Sequence, residues 1–119
     1  MQTVLIIVHS PPYGNERMLS ALRLASAIST QEIETVDLRL FMMSDAVTVG
    51  LPGQTALESG AGLQFMLETL IEKGVQIRLC RTCAFARGIA ELPLITWLAI
   101  GTLPELAEWT LAADKVITF

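Results

Sequence analysis

Short apolar runs alternate along this chain with stretches of helical periodicity, and that alternation restricts the fold more than any other feature. The first run, Val4 to Val8, is almost continuously β-branched or Leu, as a strand covered on both faces of a parallel sheet requires. The turn signal His9-Ser10-Pro11-Pro12-Tyr13-Gly14 follows, and from Glu16 the pattern becomes helical. Leu19, Leu22, Ala25 and Ile28 fall on one side of that helix, while Met18, Ala21 and Leu24 make the opposite side apolar. In the second run, Val36, Leu38 and Leu40 alternate with Asp37 and Arg39, which predicts a half-exposed strand continuing into Phe41 and Met42. Ser44-Asp45 fits the cap of a short helix reaching Val49. Gly50 to Gly62 has too few core formers for an element and is expected to be a surface loop, as a lid or an interface arm.

Leu63, Met66, Leu67 and Leu70 mark an amphipathic helix stopped by Gly74. Strand three follows at Val75 to Leu79, with one or two helical turns from Ala84 to Ile89. A fourth strand is expected within Ile95 to Ile100. Pro104 suits the first turn of a helix whose apolar members are Leu106, Trp109 and Leu111, and Lys115 to Phe119 is the last strand. Such alternation implies right-handed crossovers. The predicted fold is a single α/β domain over residues 1–119, a flavodoxin-like three-layer sandwich with a mainly parallel five-stranded sheet in the order 2-1-3-4-5.

Composition narrows the setting. Of the 119 residues, 52% are hydrophobic and 17% charged, against about 25% charged in ordinary soluble domains. A spanning helix needs about 20 apolar residues. The uncharged stretch Leu92 to Leu103 is shorter than that and broken by Pro93. No membrane segment or signal peptide is expected, and the surplus apolar surface is assigned to other subunits of a cytoplasmic homo-oligomer. A net charge of −4 argues against direct nucleic-acid binding.

Both cysteines lie in Cys80-Arg81-Thr82-Cys83, where strand three ends. Parallel α/β sheets assemble their sites at that edge. Cysteines three apart cannot staple a secreted fold, which points to a reduced, intracellular pair. In the expected strand order, strands one and three are neighbours, so His9 and Tyr13 would share a crevice with the sulfurs. Two aids to a Cys80 thiolate are expected: the free N–H groups of the following helical turn, and positive charge from Arg78, Arg81 and Arg87. A thiolate attacks a sulfane sulfur or a disulfide. Other readings stay open: an inert pair of small buried hydrophobes, a thioredoxin-type dithiol, or zinc completed by a ligand from another subunit. His9 is a base, a donor to sulfur, or a hydrogen-bonded turn residue. Gly14 lacks the companion glycines of a nucleotide loop. No cofactor and no metal are expected.

Four separated segments also carry a resemblance. Strand-Pro-Pro-Tyr-Gly, Leu38-Arg39-Leu40-Phe41-Met42-Met43-Ser44-Asp45-Ala46-Val47, Leu79-Cys80-Arg81-Thr82-Cys83-Ala84-Phe85-Ala86-Arg87-Gly88 and the closing Leu106 to Phe119 are similar, in order and spacing, to the DsrE-like family of small sulfur-relay proteins, most of all to its YchN-type branch. The resemblance implies a parallel α/β fold, trimeric or hexameric assembly, and sulfur-donor and sulfur-acceptor proteins as partners. It implies sulfurtransferase chemistry in which Cys80 carries sulfur as a persulfide, as in the related TusD-type subunits. Cys83 departs from the TusD pattern and is expected to resolve or shelter the persulfide, with Arg81 and Arg87 stabilising anionic sulfur. The alternatives are a C-x-x-C redox protein and a noncatalytic assembly or regulatory subunit.

Overall fold

The computed structural model describes residues 1–32, 35–55 and 62–119. Its strands are β1 (Gln2–Val8), β2 (Val36–Met42), β3 (Gln76–Cys80), β4 (Ala99–Gly101) and β5 (Lys115–Thr118). Between them run the helices α1 (Arg17–Glu32), α2 (Leu63–Glu72), α3 (Arg81–Ala86) and α4 (Leu103–Ala112), with a 3-10 helix at Ser44–Gly50. Every strand pairing is parallel. The α/β sandwich expected from the alternating pattern is therefore the fold, with all five strands in one sheet.

The order of the strands is 4-3-2-1-5, which corrects the expected 2-1-3-4-5. β2 is a central strand, paired along its full length with β1 and then with β3. The alternation of Asp37 and Arg39 with Leu38 and Leu40 reflects a difference between the two faces of the sheet. Leu38, Leu40 and Met42 are buried with Val4, Ile6 and Val8 on the face that α1 and α2 cover. On the other face, Arg39 and Arg78 lie over the ring of Trp109 from α4, at 5.2 and 5.3 Å, and Phe41 meets that ring edge-on at 5.9 Å. Charges are tolerated there because each is partnered: Arg39 pairs with Asp37 at 2.7 Å and Arg78 with Glu105 at 3.5 Å.

Handedness explains the layers. The chain steps in one direction from β1 to β4, so right-handed connections place α1 and α2 on one face. The return from β4 to β5, at the far edge beside β1, places α4 on the other.

Several local expectations shift. In α1 the buried stripe is Met18, Ala21, Leu22, Ala25 and Ser29, and Leu19 is exposed. In α4, Leu106 and Trp109 are buried while Leu111 is exposed. The fourth strand is confined to Ala99–Gly101, because Trp97 sits at φ 74° in a turn before it. Part of the expected Gly50–Gly62 loop, residues 56–61, lies outside the described residues. No described helix is long and apolar enough to cross a membrane.

Candidate functional site

β3 runs between β2 and β4 and ends on Cys80, which is paired in register with Gly101. The chain then turns directly into α3, which begins at Arg81, three residues earlier than its periodicity suggested. Cys80 is the N-cap of this helix, and its Sγ accepts from the Cys83 N–H at 3.5 Å. Sulfur thus takes the place usually held by a Ser, Thr or Asp oxygen. Cys80 is buried, 4% exposed, whereas Cys83 in the first turn is half-buried. Both are free thiols.

The neighbour that completes the site is the loop after β2. Ser44 lies at φ 52°, a left-handed conformation uncommon for a serine, and its backbone N–H donates to Cys83 Sγ at 3.1 Å. Asp45 Oδ1 accepts from Arg87 Nε at 2.9 Å, and Arg87 Nη1 donates to the Cys83 carbonyl at 3.1 Å. The 3-10 helix and α3 are therefore joined by a sulfur–amide bond and an ion pair. Asp45 does not cap the 3-10 helix, as expected from its position; the N-cap there is Met43, with no side-chain bond. Beneath the site, Gly50 sits so close to Leu79 that a Cβ added to it would lie 2.5 Å from Leu79 Cδ1.

Not every residue expected here arrives. His9 is exposed at the end of β1, where its N–H donates to the Phe119 carbonyl. Because β2 stands between β1 and β3, His9 and Cys80 are separated by two strand spacings, about 10 Å. The shared crevice expected from adjacency of β1 and β3 is replaced by direct contact between the segments that follow β2 and β3. Tyr13 packs half-buried against the core. Arg81 lies over the Phe85 ring at 5.4 Å. Arg87 is committed to Asp45 and the Cys83 carbonyl, and Arg78 to Glu105 and Trp109. Ser44 and Asp45, which do reach the sulfurs or their helix, follow β2 immediately. Their role was legible only through strand order.

Burial dominates the electrostatics of Cys80 and pushes its thiol above the ordinary value of 9.0. The Cys83 and Thr82 amides pull the other way, and the Cys83 thiol adds to the upward push. The expected help from the N–H groups of the helical turn thus meets a larger opposing effect. Removing the proton from Cys80 is disfavoured in the folded chain, so its contribution to stability is full below about pH 9 and falls as the pH climbs through the raised folded value. Alkylation by iodoacetamide is accordingly expected to modify Cys83 first at pH 7.5, with buried Cys80 reacting more slowly until the pH is raised or the chain is unfolded. Peptide mapping of the time course checks this, and equal rates at both cysteines at pH 7.5 would contradict it.

The comparisons with known proteins agree with this architecture. The model of the DsrE/DsrF-like family matches residues 2–119. Protein YchN of Escherichia coli is 54% identical over 119 residues, covering the whole of both chains. An uncharacterized protein of Methanopyrus kandleri is 32% identical over 119 residues, covering all of this chain and 95% of its own. The crystal structure of YchN from Escherichia coli superposes with a TM-score of 0.94 at 53% identity, with complete coverage of both chains. A solved protein of unknown function from Methanobacterium thermoautotrophicum shares the fold, with a TM-score of 0.71 at 15% identity over 99% of this chain and 98% of its own. With a family model spanning nearly its full length and relatives matched end to end, the chain belongs to the DsrE/DsrF-like family.

Proposed function

We propose that this protein carries sulfane sulfur as a persulfide on Cys80 and passes it to a partner protein. The observation that supports this most is the pairing of two free thiols at the end of β3, with the Cys83 amide donating to Cys80 Sγ and the Ser44 amide donating to Cys83 Sγ. Backbone N–H groups directed at sulfur favour its anionic form, and a sulfur carrier cycles through such anions each time it is loaded or emptied. Membership of the DsrE/DsrF-like family is consistent with a sulfur-relay role. Burial of Cys80 suits storage, since a persulfide held there is kept from bulk reductants. The partners are sulfur-donor and sulfur-acceptor proteins and further copies of this chain, in a cytoplasmic trimer or hexamer. Exposed Trp97, Leu103, Leu111 and Phe65 supply apolar surface for such assembly.

A second reading is a dithiol redox protein, favoured by the closeness of the two cysteines across one helical turn. Incubation of the reduced protein with a persulfide-charged cysteine desulfurase separates the two. The carrier reading expects a gain of one sulfur, found on Cys80 at steady state by peptide mass. Loss of two hydrogens joining Cys80 to Cys83, with no added sulfur, supports the redox protein instead. No change at either cysteine defeats both.

A further inference from the structure

The two sulfurs are not equivalent, and their difference points to an order of events. Cys80 is 4% exposed and caps α3, whereas Cys83 in its first turn is half-buried. The attacking sulfur, the sulfur it takes and the leaving sulfur lie nearly in a line, so the donor has to reach the attacking thiol from solvent. Cys83 is the more exposed of the two thiols. The Ser44 N–H at 3.1 Å is a fixed donor to Cys83 Sγ from outside α3. It is held there by the left-handed Ser44 backbone and by the Asp45–Arg87 pair, which ties the loop to the helix that carries Cys83.

We propose that Cys83 is the entry thiol and Cys80 the internal receiver, with sulfur moving inward by one step across the pair. The proposal rests on the sulfur-carrier reading. In the first step the Cys83 thiolate attacks the terminal sulfur of a donor hydropersulfide R–S–SH. A bond forms between Cys83 Sγ and that sulfur, the donor S–S bond breaks, and R–S⁻ leaves with the electron pair while the proton stays on the terminal sulfur. In the second step Cys80, a thiol at rest, gives its proton to water, and the thiolate so formed attacks the outer sulfur of Cys83–S–SH. Cys80–S–SH forms and Cys83 departs as thiolate. Neither step needs an oxidant or a reductant, because sulfane sulfur is only exchanged between thiolates.

The Ser44 amide assists both steps at the same atom. It stabilises charge on Cys83 before the first attack and again when Cys83 leaves in the second. The short Cys80-to-Cys83 turn keeps the receiver within one helical turn of the loaded sulfur. In this scheme Cys83 sets the rate of loading, and Ser44 is a positioning residue that acts through its backbone.

Glutathione persulfide, used as a small hydropersulfide probe on the reduced full-length protein, tests the order. Samples are quenched by alkylation over time and the sulfur is located by peptide mass. In the unaltered protein the added sulfur is expected on Cys83 at early times and on Cys80 later. In Cys80→Ser it is expected to stop on Cys83. In Cys83→Ser, loading of Cys80 is expected to slow by about tenfold or more, as the more exposed thiol is lost. Cys83→Ala repeats that arm without a hydroxyl, and circular dichroism confirms that each variant is folded. Loading of Cys80 at the unaltered rate in both Cys83 variants overturns the order while leaving the carrier reading standing. Absence of Cys83 loading in Cys80→Ser overturns it too. No sulfur on either cysteine of the unaltered protein overturns the carrier reading together with the order.

Discussion

Replacement of Trp109 by alanine is expected to destabilise the protein by about 3–5 kcal/mol, the range for removing a large buried aromatic side chain. Trp109 is 7% exposed and is one of two buried residues in α4, the other being Leu106. It fixes that helix to the sheet by meeting Phe41 edge-on at 88° and by receiving the Arg39 and Arg78 guanidinium groups on its ring. An aromatic pair in this geometry contributes about 0.5–1.5 kcal/mol beyond its buried area, and each cation–π contact at a partly exposed site about 0.5–1 kcal/mol. The remainder is apolar burial. Without the ring, Arg39 and Arg78 keep their carboxylate partners but lose the surface over which their stems are packed. The urea midpoint, followed by far-ultraviolet circular dichroism because the exposed Trp97 complicates fluorescence, should fall with little change in slope. Trp109→Phe should lose much less. A loss below about 1 kcal/mol for alanine would mean that α4 is held chiefly by something other than this ring.

Leu79 and Gly50 form the second large expectation, because they occupy the same space beneath the cysteines. Leu79→Ala removes a fully buried side chain and is expected to cost about 2–5 kcal/mol. Gly50→Ala places a methyl group 2.5 Å from Leu79 Cδ1, where Leu79 has no exposed volume into which to turn, and is expected to cost about 1–3 kcal/mol through overpacking. The two substitutions share one cavity, so the double variant should be more stable than the sum of the single losses predicts, by about 0.5–3 kcal/mol. Denaturant titration of the four proteins closes the cycle. Strict additivity would show that the 3-10 helix yields to the added methyl rather than pressing on Leu79. Gly50→Ala alone should also slow alkylation of Cys83, since a displaced 3-10 helix carries the Ser44 amide, a donor to the thiolate, away from the sulfur.

These two expectations follow from layers that the sequence predicts unequally. Trp109 reads from sequence as a core or interface residue, but its partners come from β2 and β3, dozens of residues away. Helical spacing identified Leu106 and Trp109 correctly and misplaced Leu111, because spacing alone does not tell how much of the helix the sheet covers. The position of Cys80 at the end of β3 was visible in the apolar run that precedes it. The start of α3 at Arg81 was not, since Cys80 acts as a cap that sequence rules reserve for oxygen side chains.

What the sequence determined by itself is the alternation of strand and helix, the parallel α/β class and the position of the cysteine pair at a strand's end. These are local matters, carried by hydrophobic period and turn residues. Tertiary structure alone decided which loop faces the sulfurs. With β2 between β1 and β3, Ser44 and Asp45 approach the pair and His9 does not. Strand order depends on how each crossover packs across the sheet, a non-local balance of handedness and side-chain burial that no single segment encodes. The burial that raises the Cys80 thiol has the same origin, because it is set by what the neighbouring elements cover.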